Sequence, residues 1–186
     1  MAQAQFDPSR AVTFDLSRGR VALDQASSRV LVPSDLLLDL CASAGDDARK
    51  DFGRRLGTEC GRRAADRLGD GRTEASLEIV LGHLGGELAL VGLGNLGLER
   101  WGKALVMTLD GSPTGAAGDT LLAAVLEGAL QRLFGRDSAA VKLGRDGDLV
   151  RFLIASAKTA ASVEQSLQKG SAWGAVLADL QQGHGS

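Results

Sequence analysis

GELALVGLGNLGLERWGKALVMTLDGSP, residues 86–113, decides how the chain is read. Gly92-Leu93-Gly94-Asn95-Leu96-Gly97 spells a GxGxxG fingerprint behind an apolar run, and Gly97 to Lys103 spells GxxxxGK, a P-loop without its Ser or Thr. Each motif works only in context: the first needs a strand before the glycines and a full helix after them, the second a helix after the lysine and a hydroxyl for magnesium. Before Gly92 the apolar residues Leu77, Leu81, Leu84, Leu88 and Val91 keep helical spacing, so the required strand is missing. After Gly97 only a short span precedes the alternating stretch Lys103 to Leu109, and Ala104 stands where the P-loop hydroxyl belongs. The glycines therefore read as a helix stop and chain reversal feeding a sheet. A nucleotide-dependent enzyme working through Gly92–Lys103 is the weakest of the functional readings. On this reading Gly92 ends a helix, Asn95 to Gly97 turn the chain, and Lys103 lies on a strand running from Leu98 to Leu109.

Bulk properties set wider limits. A chain of 186 residues, 44% apolar and 24% charged, can bury a substantial core. Its formal net charge of -2 offers no basic excess for a polyanion, so nucleic acid is not expected as a partner. Cys41 and Cys60 both fall in helical segments with no zinc or disulfide spacing, and the N-terminal MAQAQFDPSR lacks the apolar core of a signal peptide. No apolar run is long enough for a membrane span, and the expected location is cytoplasmic. Residues 1–10 read as a disordered N-terminus, 11–182 as a single domain and 183–186, including His184, as a tail.

Working outward from residue 86, Val12, Phe14 and Leu16 alternate with polar residues and resume the alternation at Val21 and Leu23, which predicts an N-terminal β-hairpin. A third short strand is read at Arg29 to Val32. Pro33-Ser34-Asp35 opens a first helix that Gly45 ends, and Cys41 on it reads as a small buried hydrophobe. The next helix, Asp46 to Leu68, carries acids in its first turns and Arg62, Arg63 and Arg67 in its last, in accord with the macrodipole. Along it Gly53, Gly57, Gly61 and Ala65 recur every four residues, a strip that lets another helix approach closely, either within the chain or across a two-fold dimer. The arginines read as a solvated face. After the break Gly69-Asp70-Gly71, Thr73 caps a helix apolar nearly all round, in which His83 reads as a structural histidine with Glu87 as its candidate partner. In the second half, Asp119 or Thr120 starts the most hydrophobic helix, which should pack across a sheet and which Gly135 stops. Its interior acid, Glu127, is expected to face solvent or a partner. Val141–Leu143 and Leu149–Ala155 form a second hairpin around Gly144-Arg145-Asp146-Gly147, and two short helices, 159–168 and 171–181, close the chain.

The glycine-rich helix, the Gly92-Leu93-Gly94 turn, a strand ending in Ser112-Pro113, the helix LLAAVLEGALQRLFGR and a hairpin ending RFLIA together resemble the 4-vinyl reductase domain, which is related to the small subunits of the TRAPP vesicle-tethering complex. The resemblance spans residues 46–155. It implies an α+β fold in which an antiparallel sheet of about four strands is covered by a helical layer, commonly paired through that layer. Members of the family act as small-molecule sensors, as parts of tetrapyrrole-reductase systems or as scaffolding subunits. The last hairpin here holds Leu143, Val150 and Arg151 where many sensors of the family carry cysteines, and neither His83 nor His184 lies in a haem-binding motif.

No catalytic constellation is spaced in the sequence, so no catalytic residue, metal or cofactor is expected. The principal expectation is a non-catalytic homodimeric module, built on Gly53, Gly57, Gly61 and Ala65, that docks a protein partner in a regulatory or assembly role. The alternative is a sensor that holds a small apolar ligand between helices and sheet, in a pocket lined by Leu84, Leu88, Leu126 and Leu130.

Overall fold

In a computed structural model the described residues are 11–23, 27–69 and 75–182. The readings placed on residues 1–10, Asp70-Gly71, Thr73 and the 183–186 tail lie outside them. The fold is α+β. A small antiparallel sheet is formed by β1 (Val12–Asp15), β2 (Arg20–Leu23) and β3 (Ser27–Arg29) in that order. Three helices follow, α1 (Ser34–Ala44), α2 (Asp46–Leu68) and α3 (Leu77–Leu90), and then the hairpin β4 (Asn95–Trp101) and β5 (Ala104–Asp110). Helix α4 (Asp119–Phe134), the hairpin β6 (Ala139–Asp146) and β7 (Leu149–Ala155), and the helices α5 (Ala157–Gln168) and α6 (Trp173–Gln182) complete the order. The second sheet runs β4-β5-β7-β6, wholly antiparallel, with β4 at one edge and β6 at the other.

Strand parity divides the core in two. On one face Met107, Leu109, Val150 and Phe152 pack with α2, α3 and α4 around Leu84, Leu88, Val125 and Leu126. On the other Val106, Val141, Leu143 and Leu153 pack with Ala160 and Val163 of α5 and Val176 and Leu177 of α6. The sheet is thus covered on both faces, the second layer being the two closing helices.

The segment 86–113 resolves into four pieces. Helix α3 stops in a Schellman arrangement: Gly92 N–H donates to Ala89 O at 3.0 Å, Leu93 N–H donates to Leu88 O at 3.0 Å, and Gly92 takes φ 74°. Leu93 and Leu88 are both buried in the same core, the contact that accompanies this cap. The expected turn at Asn95 to Gly97 and the single strand from Leu98 to Leu109 are corrected. Asn95–Trp101 is a strand of its own, and Lys103 lies in the two-residue connection to β5 rather than on a strand. Gly102 at φ 60° supplies the reversal, which alternation alone does not reveal because Trp101 and Ala104 continue it in register. The last hairpin shifts likewise, since β6 continues through Asp146 and turns at Gly147-Asp148. The third strand lies at Ser27–Arg29 instead of Arg29–Val32. Ser76 is the N-cap of α3, its Oγ accepting from Ile79 N.

Candidate functional site

Helix α3 and edge strand β4 bound a groove of about 450 Å³ that opens to solvent. Gly82, Gly85, Gly86 and Ala89 form its helical wall, Asn95, Leu96, Gly97 and Leu98 its sheet wall, and Leu81 and Glu78 complete the lining. Small residues recurring at helical spacing keep the wall low. A Cβ built on Gly82 would meet nothing within 4 Å, whereas one on Gly85 would touch the Leu96 Cβ at 3.4 Å. Arg100, on the same strand face as Leu96 and Leu98, pairs with Glu78 at 3.1 Å. The volume falls in the range of small-molecule sites, and a mostly apolar lining with Asn95 and the Glu78–Arg100 pair as its polar groups suits a compact apolar ligand.

Leu84, Leu88, Leu126 and Leu130 are buried together in the main core between α3, α4 and the sheet. They form packed interior, and the groove lies outside them, at the sheet edge. Gly53, Gly57 and Gly61 face α4 of the same chain. A Cβ on Gly53 would lie 2.8 Å from the Ala124 Cβ, one on Gly57 would overlap the Val125 carbonyl oxygen, and one on Gly61 would lie 2.6 Å from Ala129 O. Gly128 answers from the other side, its position abutting the Arg54 carbonyl, and Ala65 is buried in the same core. The strip is therefore filled from within the chain. Gly92 to Lys103 spans a helix C-terminus, an edge strand and a hairpin turn, so neither fingerprint leads into a helix N-terminus.

Two of the arginines read as solvated behave otherwise. Arg63, 8% exposed, donates through Nε to Glu87 Oε2 at 2.7 Å, and Arg67 Nε donates to Glu87 Oε1 at 2.6 Å, joining α2 to α3 around a carboxylate with no exposure. Both Glu87 oxygens thereby accept from an arginine, and the same carboxylate acts on His83, favouring its charged form. Arg62 alone of the three faces outward, bridging Glu59 and Asp66. Glu127, expected to face solvent or a partner, is half-buried; it pairs with Arg54 at 3.2 Å and accepts from Ala140 N–H, tying α4 to β6. Burial first, then the Cys60–Glu87 proximity, pushes the Cys60 thiol up to about 12, so it remains protonated and inert.

Burial first, and the Arg67 charge second, hold His83 below its ordinary 6.5, with Glu87 opposing. In the window below 6.5 the unfolded chain binds a proton that the folded one refuses, so stability is full above 6.5 and declines as pH falls toward the folded value. Urea unfolding at pH above and below 6.5 should show this loss in the unsubstituted chain and a smaller one in His83→Gln. Glu59, held low mainly by its hydrogen bond from Arg62, and Glu99, held low mainly by that from Trp101, act only below 4.5. Their window is separate.

The opposite face of β4 carries a second cluster that the sequence did not announce. Trp101 Nε1 donates to Glu99 Oε2 at 3.0 Å, Arg151 Nε donates to the same oxygen at 3.3 Å, and the Arg151 guanidinium lies 5.9 Å from the centroid of the Trp173 ring. Trp173 in turn meets Trp101 edge to face at 5.0 Å, closing a circuit of four side chains from β4, β7 and α6. Gln181 of α6 adds a hydrogen bond from Nε2 to the Trp101 carbonyl at 2.9 Å. The bonded partners lie up to 80 positions apart, so only the alternation of Glu99 and Trp101 on one strand face hints at it.

Among the described residues, no three His, Cys, Asp or Glu side chains are grouped to hold a metal, and no helix is long and apolar enough to cross a membrane. The architecture is a four-stranded antiparallel sheet between two helical layers, with a groove where one layer meets the sheet edge. No protein-family model matches the chain, and no curated protein matches it. Among solved structures the chain is similar to the phenol-responsive sensory domain of the transcription activator PoxR, determined with phenol. The TM-score is 0.60 at 15% identity, over 80% of this chain and 86% of that one, a likeness of fold.

Proposed function

We propose that the chain is a non-catalytic sensory module that binds a small apolar, preferably aromatic, molecule in the groove between α3 and β4. The observation that carries this reading is the groove itself: an apolar-walled recess of ligand size bounded by glycines on α3 and leucines on β4. The likeness in fold to a phenol-responsive domain supports it. Free, buried Cys41 and Cys60 suit a reducing cytoplasm, and the near-neutral charge balance argues against nucleic acid as partner. Thermal unfolding in the presence of phenol, toluene and indole tests the reading. A binding ligand raises the melting temperature by linkage, by about 2.7 kcal/mol of stability at 100 times its dissociation constant. Gly82→Leu should fill the groove and abolish the shift without lowering the starting temperature, because open space surrounds that position. No shift with any of the three compounds would sink it.

A second reading, a homodimer or docking module, is favoured by a different observation. Phe14, Leu16, Val30, Leu31, Val32, Leu36, Leu40 and Phe52 are large apolar side chains left exposed in the N-terminal part. This reading moves the interface from the glycine strip to β1–β3 and α1. Sedimentation of the paired variant Leu36→Glu/Leu40→Glu should give a smaller species than the unsubstituted chain, and equal masses would exclude it.

A further inference from the structure

We propose that β4 transmits occupancy of the groove to the C-terminal helix α6, through the circuit of Glu99, Trp101, Arg151 and Trp173. The inference deepens the proposed function and rests on the groove being the ligand site.

The two faces of one strand carry it. Leu96 and Leu98 line the groove, and Arg100 on the same face holds Glu78 of α3. Glu99 and Trp101, alternating with them, point to the other side of the sheet and lock onto β7 and α6. A group inserted between α3 and β4 presses on Leu96 and Leu98 and on the neighbouring Asn95 and Gly97, and the strand carries the displacement along to Glu99 and Trp101 on its other face. β4 is the element that can yield, since it is an edge strand with β5 as its single neighbour in the sheet. Its far end is tied to α6 at close quarters: a Cβ on Gly102 would lie 2.6 Å from the Gln181 carboxamide, so Gln181 reaches the Trp101 carbonyl across a glycine. Trp173 packs close enough to Gly144 that a Cβ there would lie 3.6 Å from its Cδ1. Helix α6 is therefore held by contacts that converge on β4 and its neighbours, and a shift of β4 loosens or resets them. In a sensory domain this converts a small recess into a change at the C-terminal helix.

The chain has two tryptophans, and both belong to the circuit, so intrinsic fluorescence reports its state directly. The test fills the groove covalently, independently of any natural ligand. Gly82→Cys, and separately Ala89→Cys, are treated with benzyl methanethiosulfonate, with the unsubstituted chain as the control in which Cys41 and Cys60 are buried. The benzylated variants should show a shifted tryptophan emission and faster amide exchange in α6, by about fivefold or more if the coupling is of ordinary size. Each benzylated variant is compared with the same variant before benzylation. In Gly82→Cys/Trp101→Phe the label should no longer alter exchange in α6. Unchanged emission and unchanged α6 exchange in both benzylated variants would overturn the proposal. Phenol titration of the unsubstituted chain separates the two readings: if phenol fails to bind while benzylation still moves α6, the transmission stands and the ligand assignment falls.

Discussion

Gly57→Ala is expected to destabilise the protein by about 3 kcal/mol or more, although the same change in an exposed helix gains about 1 kcal/mol from propensity alone. The reason is the contact with α4. The added methyl would overlap the Val125 carbonyl oxygen and lie 2.9 Å from the Ala129 amide nitrogen, both backbone atoms that no rotamer change can move. Relief requires α2 and α4 to part, which opens a gap along Gly53, Gly61 and Gly128 as well. Gly82→Ala is the matched control: it lies on a helix, its Cβ position is open, and it should be neutral or stabilising. Urea unfolding of the two variants should give opposite signs. If Gly57→Ala proved neutral, the close approach of α2 and α4 would be wrong. Gly57→Leu should prevent folding altogether.

Glu87→Ala is the second large effect expected, a loss of about 3–5 kcal/mol. It removes the carboxylate that Arg63 and Arg67 share and leaves the Arg63 guanidinium in the interior without that counter-charge. Breaking one side of a buried pair is worse than removing both, so Glu87→Leu/Arg63→Met should recover much of the loss. A double-mutant cycle by chemical denaturation measures the coupling. A cycle in which the two single losses simply add would show that Arg63 and Glu87 are not energetically linked.

These two sites differ in how far they can be read from the residues. The glycine strip is visible as a four-residue repeat, because a helix that brings its backbone against another must omit side chains at every turn. The repeat does not name the second helix. Gly128, which faces Arg54, is an isolated glycine in a leucine-rich segment until α2 is laid against α4. The Glu87 cluster was misread for a related reason. Arginines at the end of a helix satisfy the macrodipole whether they face water or not, and the acid that draws Arg63 inward lies 24 residues away on another helix. One hint was present: Glu87 lies among Leu84, Leu88 and Val91 on a helix apolar nearly all round, where a carboxylate has to find a cation.

The candidate site was less legible than the fold. Leu84, Leu88, Leu126 and Leu130 have the chemistry of a pocket lining, but apolar residues at helical spacing line cores and pockets alike. Packing places these four in solid interior and leaves the recess on the far side of α3, where Gly82, Gly85 and Gly86 lower the helix wall. The tryptophan circuit joins residues on β4, β7 and α6, and no local pattern connects them.

Composition, periodicity and turn chemistry determined by themselves that Gly92 ends a helix, that helices span 46–68 and 119–134, and that strand lies between them and an antiparallel hairpin after them. Those features follow from interactions between residues a few positions apart, which the order of residues states directly. Tertiary structure alone decided that Gly53, Gly57 and Gly61 receive α4, that Glu87 gathers Arg63 and Arg67, and that the glycines of α3 face an edge strand and border a groove. Each of these depends on which distant surfaces meet, and that choice is made by the burial of the whole apolar set on both faces of the sheet.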